Sequence, residues 1–219
     1  FNKADGDLVW QTALSGCEFP NHGDCLTPVL YNGKLYVVSS GQPAKTIYQV
    51  DSLTGVLDWS SPFTVDIDTG WSELRGQMCL VPNALGQGIH GLYFNTNAGN
   101  DGQGMYCLAI NPASGASVRW TDRGGKAARS HVIYLPAVGR VCTHTWNDYG
   151  SSFYSWNLDG SRLATALAGN GSHGYEDFGA LDFDGNDVLS VGSDGRIARY
   201  ADITVPGDPT LPTQVVYDS

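Results

Sequence analysis

The sequence predicts an all-β protein, and three observations lead to this prediction. The chain of 219 residues holds 28 glycines, and aromatic residues make up 11% of it, a blend that favours strands and tight turns. Short runs of alternating apolar and polar residues recur along the chain, and no window shows a convincing helical period. The pair Asn32-Gly33 between two such runs is typical of a two-residue β-hairpin turn.

The charge balance narrows the classes of partner. Twelve basic and twenty-two acidic residues give a net charge of −10 at pH 7. A nucleic acid or an anionic membrane is recognised by a basic face, which this composition does not supply. No apolar stretch approaches the roughly 20 residues of a membrane span. The sequence therefore predicts neither a nucleic-acid partner nor a membrane span.

A repeat runs through the whole chain. Its unit is an Asx residue, a turn closed by glycine, and a short strand that ends in tryptophan. The turn glycines are Gly6, Gly55, Gly115 and Gly160, and the tryptophans are Trp10, Trp59 and Trp120. The fourth copy keeps the Asx-Gly turn and has Leu163 where the tryptophan is expected. The glycines are 49, 60 and 45 residues apart, and propeller blades of four strands repeat every 40–50 residues or so.

The predicted architecture is a single β-propeller domain of about four four-stranded blades, over residues 1-219. The repeats are placed at roughly 24-60, 74-121, 128-165 and 173-217, with 4-12 as an outer strand. The simplest arrangement pairs residues 6–10 with residues 196–200, so that the N-terminal strand closes the fourth blade and removes two exposed edges. In the alternative, the tail at 213–217 takes that place, and the N-terminal strand pairs with another chain to complete an eight-bladed ring or a filament.

These residues resemble the PQQ-like repeat of quinoprotein alcohol dehydrogenase-like β-propellers, whose motif is roughly Ala-x-Asp-x-x-Thr-Gly-Lys-x-x-x-Trp. Asp51, Thr54, Gly55 and Trp59 fit this motif closely, and residues 109–120 fit it with one extra residue. The resemblance covers nearly the whole chain and implies that each motif tryptophan docks between adjacent blades. We therefore interpret the three tryptophans as structural wedges, and the four turn glycines as positions that need a positive φ.

The resemblance also raises the question of quinone chemistry. Dehydrogenases of that family hold PQQ beneath a disulfide between adjacent cysteines, with a Ca²⁺ ion and a catalytic Asp. This sequence has no adjacent cysteine pair and no Cys-x-x-Cys-His haem motif, and its five histidines show no metal-ligand spacing. We expect no catalytic residue and no cofactor. Calcium at residues 182–187 is the lesser alternative, because Asp-Phe-Asp-Gly-Asn-Asp offers oxygen ligands at alternate positions but is also typical of a hairpin turn.

The cysteines and one glycosylation sequon point to an oxidising compartment. Cys17 and Cys25 flank a short loop and predict a disulfide, and Cys79 with Cys107 is predicted as a second one. Cys142 is then left free and buried; five reduced thiols are the alternative. The sequon at 170–172 predicts glycosylation of Asn170. Together with the low charge content, these features predict a secreted, extracellular or periplasmic protein.

The candidate ligand surface lies in the third repeat, at His144, Trp146, Asn147, Asp148 and Tyr149. Aromatic rings beside hydrogen-bonding side chains suit a sugar, and the alternative explanation is packing at a blade edge together with ordinary turn chemistry. Propellers present their loops on two faces, where we expect a protein or glycan partner, or self-association. The sequence predicts a non-catalytic binding or scaffold module. The alternatives are a fragment or subunit of a PQQ-dependent oxidoreductase and a carbohydrate-binding propeller.

Overall fold

The computed structural model describes residues 5–15, 27–39, 45–63, 73–74, 77–97, 104–122, 131–145, 152–167, 178–181, 188–191, 197–200 and 214–217. The regular structure of these residues consists of β-strands, which are connected by turns. The prediction of an all-β fold is confirmed. No helix in these ranges is long and apolar enough to cross a membrane.

The strands form four sheets that follow one another along the chain. The first sheet has the order β1 (Val29–Tyr31), β2 (Lys34–Val38), β3 (Lys45–Asp51) and β4 (Leu57–Phe63). The second sheet contains β5 (Glu73–Leu74), β6 (Cys79–Val81), β7 (His90–Asn97), β8 (Gly104–Asn111) and β9 (Gly115–Asp122), with β5 and β6 both beside β7. The inner strand of the second sheet is thus split into two short pieces.

The third and fourth sheets repeat the simple order of the first. The third contains β10 (Val132–Leu135), β11 (Arg140–Thr145), β12 (Ser152–Asn157) and β13 (Arg162–Leu167). The fourth contains β14 (Phe178–Leu181), β15 (Val188–Val191), β16 (Ile197–Tyr200) and β17 (Gln214–Tyr217). All neighbouring strands are antiparallel. Three of the sheets are meanders of four strands, and the second has five because its inner strand is split in two. Sheets of this kind are propeller blades.

Apolar side chains fill the two spaces between the first three sheets. The core between the first and second sheets contains Tyr36, Val38, Ile47, Phe63, Leu92, Phe94, Tyr106, Leu108 and Ile110. The core between the second and third contains Val81, Tyr93, Met105, Cys107, Val132, Val141 and Trp156. The innermost segments also meet directly, because Thr27 forms a parallel bridge with Gln77 and the Val132 amide donates to the Gln77 carbonyl at 3.1 Å. The sheets therefore pack face to face as blades do.

The chain ends are arranged differently from the simplest sequence-based expectation. β16 lies between β15 and β17, so both of its edges are already paired. Residues 6–14 form no strand and lie against the first blade instead. The predicted pairing of residues 6–10 with residues 196–200 is therefore wrong. The tail takes that place, since Gln214-Val215-Val216-Tyr217 has the β-branched and aromatic residues that favour a strand.

The predicted Cys79–Cys107 disulfide is also wrong. Cys79 in β6 pairs with Tyr93 in β7, and Tyr93 pairs in turn with Cys107 in β8. The two cysteines are therefore two strand spacings apart, roughly 9.6 Å, whereas a disulfide requires Cα atoms within about 7 Å. Cys79, Cys107 and Cys142 are free thiols, and the last two are buried. Cys17 and Cys25 lie outside the described residues, and their disulfide stays a prediction.

Candidate functional site

The three repeat tryptophans make the same contact, each with the turn of the following repeat. In every case the indole Nε1–H donates to the carbonyl of the residue that follows the Asx of that turn. The pairs are Trp10 with Ser52 (3.0 Å), Trp59 with Pro112 (3.1 Å) and Trp120 with Leu158 (3.0 Å). Each tryptophan thus joins one structural unit to the next. This role suits the indole ring, which packs against the neighbouring unit while its N–H group donates a hydrogen bond.

The turn glycines leave room for these indoles. Gly55 has φ +71°, and a Cβ built there would lie 2.6 Å from the Trp10 ring. Gly160 has φ +97°, and its Cβ would lie 2.7 Å from Trp120. Any side chain at either position would be strained in its backbone and would also collide with the tryptophan. The other two turn glycines, Gly6 (φ +79°) and Gly115 (φ +127°), have no such ring against them.

Asp51 organises the first of these turns. One carboxylate oxygen accepts hydrogen bonds from the amides of Leu53 and Thr54 and from the Thr54 hydroxyl. The other lies 3.0 Å from Lys34 Nζ, which is also 3.0 Å from Asp58. The Lys34 ammonium, followed by the Thr54 hydrogen bonds, lowers the pKa of Asp51 to about 2. This carboxylate is therefore a charged structural group rather than a candidate acid or base.

A second link between blades was missed by sequence reasoning. Trp156 is fully buried, and its Nε1–H donates at 2.7 Å to the carboxylate of Asp122, the last residue of β9. The Arg162 Nε lies 3.7 Å from the same carboxylate. The bond joins the second blade to the third across 34 residues of sequence. Nothing local in the sequence indicated the partner of Trp156.

A bulge recurs in the outer strand pair of three blades and leaves one extra residue in the outer strand of each. In the second blade Trp120 pairs with Cys107 and Val118 pairs with Leu108, which leaves Arg119 as the extra residue. The extra residue in the first blade is Asp58, and in the third it is Leu163. The interpretation of Leu163 as the counterpart of the tryptophan is therefore wrong. By strand register Ala164 occupies that position, because it pairs with Ser155 as Trp120 pairs with Cys107.

Arg119 borders an open groove on the second blade. The groove has a volume of about 520 Å³ and runs between the loop that precedes β7 and the β8–β9 hairpin. Leu85 and Ile89 supply apolar surface, and Asn111, Ser114, Ser117 and Arg119 supply hydrogen-bonding groups. Bulges often redirect a side chain towards a functional surface. Here the bulge residue is an exposed guanidinium, which can bind a carboxylate through two parallel hydrogen bonds.

The ligand surface proposed from the sequence is located only in part. His144 lies in β11, where it pairs with Phe153 of β12. Trp146, Asn147, Asp148 and Tyr149 lie outside the described residues, as do Asn170 and the loop 182–187. In the part of the chain that the structure describes, no three His, Cys, Asp or Glu side chains are close enough together to hold a metal ion. The groove was not found from the sequence, because its lining residues look like ordinary loop and strand residues.

Comparison with known proteins supports the fold. No protein-family model matches the chain, and no curated protein matches it. Among solved structures it is similar to the Dos1 propeller (TM-score 0.59, 11% identity, 81% of this chain and 45% of that one). It is also similar to a europium-containing methanol dehydrogenase (TM-score 0.54, 12% identity, 84% of this chain and 40% of that one). A third similar structure is Sqt1 of Saccharomyces cerevisiae (TM-score 0.53, 12% identity, 90% of this chain and 50% of that one).

The fold is that of a β-propeller. Identities of 11–12% establish the fold alone and carry no information on activity. The chain spans half or less of the length of each of these three structures.

Proposed function

We propose that this chain is a non-catalytic β-propeller module, secreted or displayed at a cell surface, that binds a partner at a face of the propeller. The observation that carries the proposal is the groove beside Arg119. Its volume of about 520 Å³ lies within the range of ordinary ligand sites, and its lining combines apolar and hydrogen-bonding side chains. The tryptophans and turn carbonyls that recur in each repeat, in contrast, are occupied by contacts between neighbouring units.

The chemistry of the groove favours a ligand that carries a carboxylate. Arg119 offers a planar, permanently charged donor group, and Asn111, Ser114 and Ser117 lie in the same lining. Leu85 and Ile89 offer a surface for an aliphatic segment or the apolar face of a sugar ring. An acidic protein segment and an acidic glycan share this chemistry. Either ligand would be a protein or glycan partner at a propeller face, as the sequence predicts.

The test is binding of the purified chain to arrays of glycans and of acidic peptides, with affinities then measured in solution. Arg119→Ala is expected to weaken binding of the selected ligand at least about tenfold, as loss of a charge-assisted bidentate pair does. Arg162→Ala removes the same charge from the third blade and is expected to leave binding unchanged. Equal loss in both variants would show a nonspecific charge effect and contradict the proposal.

The arrays also separate the alternatives. Glycan binding that is lost in Trp146→Ala and kept in Arg119→Ala would assign the function to the third-repeat loop and to a carbohydrate-binding propeller. The quinone alternative rests on the resemblance of the Trp-turn motif to the PQQ-like repeat. Reconstitution with PQQ and Ca²⁺ or a lanthanide that yields dye-linked alcohol oxidation would establish that reading and refute a non-catalytic module.

A further inference from the structure

One wall of the groove is a single loop of the second blade. Residues 82–89 connect β6 to β7, and Leu85 and Ile89 of this loop supply the large apolar side chains of the lining. The opposite wall is the β8–β9 hairpin, which the first blade holds, because the Ser61 hydroxyl donates to the Ala116 carbonyl at 2.8 Å. The shape of the groove therefore depends on how residues 82–89 are held.

Asn83 is the residue on which the conformation of this loop depends. It has a φ of +53°, in the left-handed region that non-glycine residues seldom adopt. Its side-chain Oδ1 accepts a hydrogen bond from the Gly88 amide at 2.7 Å, and its carbonyl accepts one from the Gly86 amide at 3.1 Å. Its own amide donates to His90 Nδ1 at 3.1 Å. Gln87 has a φ of +52° as well, and two such residues persist only where the surrounding bonds hold them.

His90 holds Asn83 from outside the loop, at the start of β7. Its ring packs edge-on against Tyr31 of the first blade, with the ring centroids 5.2 Å apart, and this contact fixes its orientation. β8 places Ile110 opposite His90, and residues 82–89 contain no titratable side chain. Tyr31 is thus the titratable group that contacts the ring, and none of the residues that the structure describes forms an ion pair with it.

The hydrogen bond from Asn83 requires an unprotonated Nδ1. In neutral His90 the ring proton is then on Nε2, and Nδ1 offers its lone pair to the amide. Protonation makes both ring nitrogens donors, so an N–H group at Nδ1 would face the N–H group of Asn83. Two donors repel at that distance, and the charged ring must leave the amide. Burial lowers the pKa of His90 from its ordinary value of 6.5, which agrees with a ring that is neutral while the loop is closed.

We propose that His90 is a pH-dependent switch for the groove: the neutral ring holds residues 82–89 closed, and the protonated ring releases them together with Leu85 and Ile89. The sign follows from linkage. The closed loop has the lower proton affinity, so closure is fully favoured above about pH 6.5 and is weakened as the pH falls below that value. The consequence for a ligand rests on the proposed function: the groove binds at neutral pH and releases at mildly acidic pH.

The test of the switch itself needs no ligand. Hydrogen exchange of the Asn83, Gly88 and Ile89 amides, followed by NMR on the isotope-labelled full chain, reports closure of the loop, because each of these amides is hydrogen-bonded within it or to His90. Protection factors correct for the intrinsic effect of pH on exchange. They are expected to fall about three- to tenfold from about pH 8 to about pH 5, as the loss of one ordinary hydrogen bond gives.

Variants separate the switch from other effects of acid. His90→Asn and His90→Gln each supply an amide oxygen that accepts the bond from Asn83 and does not titrate, so the loop is expected to stay closed over the whole range. His90→Phe keeps a ring against Tyr31 but has no acceptor, and its loop is expected to be open throughout. His131→Asn is the control, since the pKa of His131 is also lowered by burial but this residue lies in the third blade. Circular dichroism at each pH establishes that every variant is folded.

Glucuronic acid is the probe of the groove, because its carboxylate stays ionised over this range, and glucose is its neutral control. Wild-type affinity is expected to fall about three- to tenfold from about pH 8 to about pH 5, and that of His90→Asn to stay constant. Loop protection or affinity that does not change with pH in the wild type, or a pH response that persists in His90→Asn and His90→Gln, would overturn the switch and leave the groove a binding site. Glucuronic acid that binds at no pH would instead contradict the proposed function, and the amide protection would still decide the switch.

Discussion

Gly55 and Gly33 form a matched pair of positions in the first repeat. Their φ angles are +71° and +73°, but a Cβ at Gly55 would lie 2.6 Å from Trp10, whereas a Cβ at Gly33 would meet nothing within 4 Å. We expect Gly33→Ala to cost about 1–2 kcal/mol of unfolding free energy for its backbone alone. Gly55→Ala is expected to cost about 1–3 kcal/mol more, because the indole must move.

Urea denaturation of the two variants measures this difference. The Trp10→Ala background provides the control, since removal of the indole is expected to make the two alanine substitutions equally costly. Equal losses in the wild-type background would contradict the assignment of Trp10 to this turn.

The Asp51 carboxylate gives the first blade a pH dependence of defined sign. Its pKa falls from 3.8 to about 2 on folding, chiefly through the Lys34 ammonium. The resulting stabilisation is present above pH 4 or so and is lost as the pH falls from there towards 2. Asp51→Asn is therefore expected to flatten the decline of unfolding free energy over this range. Denaturant titrations at several pH values test this, and wild-type and variant curves that run parallel would contradict it.

At the scale of elements, the second and third blades are joined by two indole hydrogen bonds of different strength. Trp156 donates to the charged Asp122 carboxylate, whereas Trp120 donates to the neutral Leu158 carbonyl. We expect Trp156→Phe to cost about 1.5–3 kcal/mol through the lost bond to a charged group, and Trp120→Phe about 0.5–1.5 kcal/mol through the neutral one. Chemical denaturation measures both, and a smaller loss for Trp156→Phe would show that the bond to the carboxylate is not the stronger one.

Elements that depend on nearby residues were predictable from the sequence. The Asn32-Gly33 hairpin, the turn glycines and the tryptophans four or five residues after them follow local rules, because a two-residue turn and a positive φ restrict which residues fit. The spacing of these local signals also predicted four-stranded sheets in chain order.

Features set by competition between distant segments were not predictable. Cys79 and Cys107 were expected to face each other, but β7 lies between their strands. The edge of β16 was expected to bind residues 6–10, but β17 reaches it with a shorter connection. Loop-closure entropy favours the nearer strand, and the sequence alone does not rank two segments that both have strand character.

At the scale of the whole molecule, the residues that recur in every repeat make the contacts between blades. The positions that differ from one blade to the next are the ones available for binding. The bulge residue illustrates this division, because it is Asp58 in the first blade, Arg119 in the second and Leu163 in the third. The same backbone feature therefore presents a different side chain on each blade. In the first it binds Lys34, and in the second it borders the groove.

The measurement that tests the proposed binding role most directly is a map of where ligands bind, by NMR chemical-shift changes on the isotope-labelled chain. Carboxylate-bearing sugars and acidic peptides are the probes, and neutral analogues of the same size are the controls. We expect saturable shifts at residues 85–89 and 111–119, absent with the neutral analogues and absent in Arg119→Ala. Shifts confined to other blades, or none at any accessible concentration, would contradict it.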